Sequence, residues 1–242
     1  MNEKEFLDSV SKTYKMEGSP YNQGKRSIAI GVFSEFIKPG GTALELGCAD
    51  GYETSLISKL VSKLDVIDGS IQFIEDCMLK CPEANFVHDL FENYSSKQKY
   101  DYIFASYVLE HVADVSPVLN MIKSHLKPGG LFFTVVPNAN SFSRQLAVNM
   151  GLIKDLKGLT ENDINHGHRR VYDSLSLCRD LKDGGFTIID RGGILFKLLA
   201  DFQMDEMLNS KIITDQHLQG LFKMGVLYPS LCDSIYAICK II

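Results

Sequence analysis

Leu44-Glu45-Leu46-Gly47-Cys48-Ala49-Asp50-Gly51 carries a short apolar run into a glycine-bounded turn, and a helix-patterned stretch follows. Such a strand-turn-helix unit lies at the carboxyl edge of a parallel sheet, where open α/β folds bind ligands and glycine lets the backbone come close to them. Working outward, Thr42 to Leu46, Leu64 to Asp68, Asn85 to Val87, Tyr100 to Ala105 and Leu131 to Val136 read as strands separated by helix-sized stretches. Strands alternating with helices imply right-handed crossovers and a mainly parallel sheet covered on both faces, which is why the strands are continuously apolar. Lys38-Pro39-Gly40-Gly41 turns the chain into the first strand, and Lys127-Pro128-Gly129-Gly130 stops a helix before the fifth. A helix from about Asp173 ends at Gly184-Gly185, and the runs Phe186 to Asp190 and Ser234 to Ile242 bring the strands to seven. The stretch between those two runs receives no element.

The expected fold is a doubly wound α/β domain over 1–242, with a helical cap over 1–40 and a lid over 137–172. Helical periodicity broken by Gly18-Ser19-Pro20 marks the cap, and a polar stretch rich in asparagine, glycine and histidine marks the lid. At 242 residues and 45% hydrophobic, the chain is long enough for a full core. With 25 basic against 30 acidic residues, the net charge of -5 gives no electrostatic case for a nucleic-acid partner. No apolar run approaches the roughly 20 residues of a membrane span. Charged residues interrupt the N-terminal MNEKEFLDSVSKTYK, so it does not read as a signal peptide. The six scattered cysteines lack a C-x-x-C pair and are expected to be reduced, buried thiols of a cytoplasmic protein. These features suit a small-molecule partner and are compatible with a homodimer.

A dinucleotide fingerprint beginning at Gly47 needs glycine where Ala49 and Tyr52 stand, and no Gly-Lys-Ser/Thr of a P-loop follows. Glu45 precedes the turn and Asp50 lies within it, where they would repel a pyrophosphate and favour a cationic ligand such as a sulfonium. Asp68 ends the second strand at the interval from which an acid reaches a ribose diol. Asp89 could accept an adenine amine while Leu90 packs on the ring. Taken singly, Asp68 and Asp89 could equally be helix caps.

In order, ELGCADG (45–51), VIDGS (66–70), HDL (88–90), FASYVLEHV (104–112) and LKPGGLFFTVVPN (126–138) resemble the motif series of class I S-adenosylmethionine-dependent methyltransferases. The likeness is nearest to ubiquinone-pathway and sugar O-methyltransferases and covers about 25–140 well. It implies a Rossmann-like seven-stranded sheet with an antiparallel last strand, and S-adenosylmethionine as donor. By that resemblance, Glu45, Gly47, Cys48, Ala49 and Gly51 surround the methionine moiety, and Asp68 takes the ribose, with Gly69, Ser70 and Ser106 nearby. Asp89 and Leu90 frame the adenine. From the cap, Arg26 or a tyrosine, Tyr14 or Tyr21, meets the donor's carboxylate. Ala49 departs from the family's usual glycine.

Methyl transfer from a sulfonium is an in-line displacement, so alignment and exclusion of water matter most, and a hydroxyl acceptor also benefits from a base. Two segments supply histidine: Ser106 to His111, and Asn165-His166-Gly167-His168-Arg169-Arg170-Val171-Tyr172. His168 or His166 is the expected base. His111, Glu110 and Tyr107 shape the acceptor pocket with Asn138 and Tyr172, while Arg169 and Arg170 orient an anionic acceptor such as a sugar nucleotide. In the ubiquinone-pathway enzymes a carboxylate stands at the place of Tyr107 and joins the counterparts of Glu110 and His111 around a divalent metal; with Tyr107 there, no metal is expected. Phenol or quinone-precursor methylation, amine methylation and a non-catalytic cofactor-binding module are the alternatives.

Overall fold

The computed structural model describes residues 3–12 and 18–241. Among them, strands β1 (Thr42–Leu46), β2 (Lys63–Asp68), β3 (Asn85–His88), β4 (Tyr100–Ser106), β5 (Leu126–Pro137), β6 (Phe186–Phe196) and β7 (Cys232–Ile241) form one sheet. Its order is β3-β2-β1-β4-β5-β7-β6. The first five strands pair in parallel, and β7 inserts antiparallel between β5 and β6. The order reverses at β1, so the β1 and β4 carboxyl ends open the crevice in which a doubly wound sheet binds its ligand.

Helices cover both faces. Helices α2 (Pro20–Ser34), α3 (Tyr52–Ile57), α4 (Ile71–Lys80), α9 (Asp201–Asn209) and α10 (Asp215–Leu227) pack on one side. There Phe33 meets Phe133 at 5.1 Å, and Phe133 stacks on Phe104 at 4.9 Å. Helices α5 (Val115–His125) and α8 (Ser174–Asp183) close the other side with Leu119, Ile122, Leu177 and Leu181. The cap contributes α1 (Glu3–Ser11), and α6 (Phe142–Asn149) and α7 (Glu161–Asn165) lie in the lid segment. Ser19 accepts the Asn22 N–H and Pro20 occupies the first turn of α2, so Gly18-Ser19-Pro20 starts a helix as well as interrupting one.

Three differences from the sequence reading have physical causes. The fifth strand begins at Leu126, which pairs with Tyr100 ahead of the Lys-Pro-Gly-Gly turn; that turn becomes an irregularity between the pairs at Tyr100 and Tyr102. The sixth strand runs past Arg191-Gly192-Gly193 because β7 offers a continuous antiparallel partner. A Cβ at Gly193 would lie 2.4 Å from Cys232 Sγ, so its glycine serves close packing and not a turn. Helices α9 and α10 fill the stretch left unassigned. All six cysteines are buried and none is in a disulfide. No helix of the described residues is long and apolar enough to cross a membrane.

Candidate active site

The loop after β1 is held by its backbone conformation and by one acid. Gly47 and Gly51 adopt φ of +77° and +74°, and Ala49 joins them at +42°. Left-handed backbone costs a non-glycine residue roughly 1–2 kcal/mol, which Ala49 bears. Asp68 offsets it: Oδ2 accepts the Cys48 N–H at 2.9 Å, and Oδ1 accepts the Ser70 N–H at 2.8 Å. Burial raises the Asp68 pKa, opposed by these backbone donors. One carboxylate thus ties the β1 loop to the turn after β2. Gly47, Cys48, Ala49, Asp68 and Gly69 line part of a cavity that is partly open to solvent. Phe73 and Phe91 add aromatic surface, and α1 brings Leu7 and Val10. An acid beside apolar and aromatic walls suits a nucleoside, whose hydroxyls need acceptors and whose base needs a flat partner.

Arg26, Glu53, Ser106, Tyr107, His111 and His166 line the rest. Tyr107 leaves β4 at φ +55°, held by its N–H to Val135 O at 2.7 Å and its hydroxyl to Ser234 at 3.2 Å. Its ring lies 5.2 Å from Lys25 Nζ. The lid supplies His166 directly, whereas His168 stands behind His111, the two rings edge to face at 4.7 Å. His168 Nδ1 lies 3.3 Å from Asp163, which Thr160 and Arg144 hold in place. Burial and neighbouring His168 push the His111 pKa down to about 3 and also lower that of His166. His111 is therefore a neutral imidazole at neutral pH.

Glu110 is 1% exposed, and neither carboxylate oxygen has a hydrogen-bond partner. Burial pushes its pKa up to about 7. Glu110, His111 and His168 bring ligand atoms within 4.8 Å of one another and could hold a metal ion. A carboxylate with two imidazoles suits a divalent transition metal, and the orphaned oxygens of Glu110 fit that use. Here a lid histidine, not the residue at position 107, completes the set.

Residues 27–191 match the family model described as a methyltransferase domain. The chain belongs to this methyltransferase family. Its class is S-adenosylmethionine-dependent, with S-adenosylmethionine as methyl donor. The ubiquinone biosynthesis O-methyltransferase of Bradyrhizobium sp. (strain ORS 278) is 25% identical over 180 residues, 72% of this chain and 70% of that one. Its namesake from Chelativorans sp. (strain BNC1) is 28% identical over 163 residues, 65% and 63%. Among solved structures, N-methyltransferase NodS of Bradyrhizobium japonicum WM9 with S-adenosyl-L-homocysteine superposes with a TM-score of 0.62 at 14% identity, covering 96% of each chain. That likeness supports the fold.

Within this methyltransferase, several residues expected at the site are engaged elsewhere. Arg26 reaches the cavity, but its guanidinium is bidentate on Asp50 at 2.6 and 2.9 Å and stacks on Tyr52. Asp50 therefore has its positive partner within the protein. Glu45 lies behind the loop beside Thr54 and Cys77, where burial raises its pKa, and Gly51 packs on Cys77. Asp89 pairs with Lys4 at 3.1 Å and caps the Leu90 N–H; Phe91, the next side chain, lines the cavity instead. Ser70 stands at the N-cap position of α4, but its hydroxyl donates to Asp8 at 2.8 Å and makes no cap. Tyr21 is fully buried beside Asp233 and off the wall. Asn138 donates to the Ser230 and Cys232 carbonyls, and Tyr172 donates to Asp180.

The two guanidinium groups expected to clamp an anion are also engaged with protein partners. Arg169 pairs with Glu3 at 2.7 Å and covers Phe6, fastening α1, while Arg170 donates to the Leu109 and Ala113 carbonyls. Tyr14 lies outside the described residues. Sequence reasoning missed Glu53, Phe73 and Phe91, and the hydrophobic stripe of α1. An acid one residue past Gly51-Tyr52 was the available sign of Glu53.

Proposed function

We propose that this methyltransferase moves a methyl group from S-adenosylmethionine to a hydroxyl of a small, largely uncharged acceptor, a phenol or related aromatic alcohol in preference to a sugar nucleotide. Asp68 holds the ribose, and Phe73 and Phe91 flank the adenosine. The observation that carries the reading is that His111, His166 and Tyr107 line the same cavity as Asp68, Phe73 and Phe91. A neutral imidazole can take the hydroxyl proton as oxygen attacks the methyl carbon and the donor sulfur departs as a neutral thioether. His166 is the base, His111 a second polar wall, and His168, oriented by Asp163, positions His111 from behind.

The sugar-nucleotide reading leaned on Arg169 and Arg170, and both guanidinium groups are occupied by protein partners. The names of the O-methyltransferase relatives favour the aromatic alternative. The test is transfer of labelled methyl from S-adenosylmethionine to catechol-type phenols, sugar nucleotides and amines in parallel. Methylated phenol is the expected product; labelling confined to sugars or amines overturns the acceptor class. His166→Ala should lower turnover by about 10²–10⁴ while donor affinity stays within twofold. Unchanged turnover removes His166 from the chemistry.

A further inference from the structure

Three cysteines meet around Gly51, where the loop after β1 closes. Cys48 lies inside the loop and on the cavity wall; its carbonyl accepts the Gly51 N–H at 2.8 Å, and its Sγ stands 3.6 Å from Asp68 Oδ2. On α4, Cys77 presses against the same turn, its Sγ 3.0 Å from the position a Gly51 Cβ would take. Cys81 ends α4 with its Sγ 4.0 Å from the Gly51 carbonyl. The Cys77 thiol is hydrogen-bonded to that of Cys48 on one side and to that of Cys81 on the other. Among the described residues these sulfurs do not gather into a metal-holding cluster, as Glu110, His111 and His168 do. Two thiols in contact need only a short further approach to bond as a disulfide. Cys77 and Cys81 are kept apart by the helical turn between them, closed by the Cys81 N–H to the Cys77 carbonyl at 2.9 Å, whereas Cys48 belongs to a loop outside any helix or strand. Cys48 is therefore the partner that can close on Cys77.

We propose that Cys48 and Cys77 are a reversible disulfide site, oxidised by peroxide, whose closure draws the donor loop onto α4 and weakens donor binding. Cys77, as thiolate, attacks one peroxide oxygen and the O–O bond breaks, giving a sulfenic acid and a hydroxide that takes up the proton the thiol has lost. Cys48 then attacks that sulfur, the S–O bond breaks, and the hydroxyl leaves with the Cys48 proton as water. In sum, two thiols and one hydrogen peroxide give one disulfide and two waters. The hydrogen bond from Cys48 lowers the Cys77 pKa and so favours the reacting thiolate, while the same contact and burial raise that of Cys48. Peroxide is little larger than water and reaches the pair through the cavity, where a bound donor would cover Cys48. Bonding pulls the Cys48 side chain away from Asp68 and strains the 2.9 Å hydrogen bond by which Asp68 holds the loop. The effect on the donor rests on the reading above; the disulfide itself does not.

The experiment treats the purified protein with hydrogen peroxide, with and without S-adenosylhomocysteine, and maps its peptides by mass spectrometry without reduction. Cleavage after lysine puts Cys48, Cys77 and Cys81 on three separate peptides, so the linkage is read directly. The expected result is a Cys48–Cys77 cross-link that dithiothreitol removes and that bound S-adenosylhomocysteine slows. In calorimetry the cross-linked protein should bind S-adenosylhomocysteine about tenfold or more weakly and recover on reduction. Cys77→Ala should neither cross-link nor lose affinity under peroxide, whereas Cys81→Ala should do both as the parent does. Unreacted thiols, a Cys77–Cys81 cross-link, or oxidation to sulfinic acid without a cross-link overturns the site. A Cys48–Cys77 bond that leaves affinity within about twofold overturns its effect on the donor. Reduced parent protein that binds no S-adenosylhomocysteine overturns the donor reading instead, while the peptide map still decides the disulfide.

Discussion

Asp233→Asn removes the centre of a buried charge network next to the acceptor wall. The Asp233 carboxylate receives Lys25 Nζ at 2.9 Å and also pairs with Lys197, whose ammonium reaches Asp201 at 2.6 Å. Both Lys25 and Asp233 side chains are 8% exposed, so water cannot replace the lost partner. Removing one member of a buried ion pair costs about 3–5 kcal/mol, because the remaining charge is neither paired nor solvated. Two lysines would then share one acid. For a protein of this size each kcal/mol moves the melting temperature by roughly 2–4 °C, so the variant should melt about 6–20 °C lower in scanning calorimetry. Lys25→Met added to Asp233→Asn deletes the stranded cation and should return about 0.5–3 kcal/mol as a coupling energy.

The pH dependence has a definite sign. Although burial opposes ionisation, Lys197 and Lys25 hold the Asp233 pKa below the ordinary carboxylate range. Its stabilising effect is complete above the unfolded value of about 3.9 and is lost as pH falls through the lower folded value. The gap between variant and parent should accordingly persist from pH 8 to 5 and shrink in stronger acid. A melting temperature within about 2 °C of the parent at pH 7, with no coupling to Lys25, would refute the reasoning that this network stabilises the fold.

Two further outcomes follow from the loop. Asp68→Asn keeps one acceptor oxygen but turns an amide toward a backbone donor, so S-adenosylhomocysteine and 5′-methylthioadenosine, which lacks the amino-acid end, should both weaken by about tenfold to a hundredfold in calorimetry. An undiminished affinity for both would release Asp68 from its nucleoside role. Gly51→Ala places a Cβ 3.0 Å from Cys77 Sγ at φ +74°, and the left-handed strain of about 1–2 kcal/mol should appear as a melting temperature lower by roughly 2–8 °C. An unshifted transition would show that the turn relaxes freely.

The apolar strand runs, the helices between them and the glycine loop after β1 were legible in the chain because they depend on neighbours a few residues away. So was Asp68, since a βα unit of ordinary length brings an acid at that interval to the same sheet edge as the loop. Strand pairing was less so: β6 passes through two glycines because β7, distant in sequence, supplies its hydrogen bonds. Which charge would meet a ligand was not legible at all. Arg26 and Asp50 are separated by 24 residues and Arg169 and Glu3 by 166, so Arg26, Asp50 and Arg169 each read as facing a ligand until the fold set them against partners in the protein. Glu53 stood near them in the chain without distinction, yet folding left its carboxylate buried on the cavity wall. Sequence alone determined the strands and the loop through local backbone preference and hydrophobic period, and the donor class through the resemblance of its motif series to a known family. Only the tertiary structure decided which polar groups neutralise one another and which remain for substrate, because electrostatic pairing acts through space and depends on how deeply each group is removed from water.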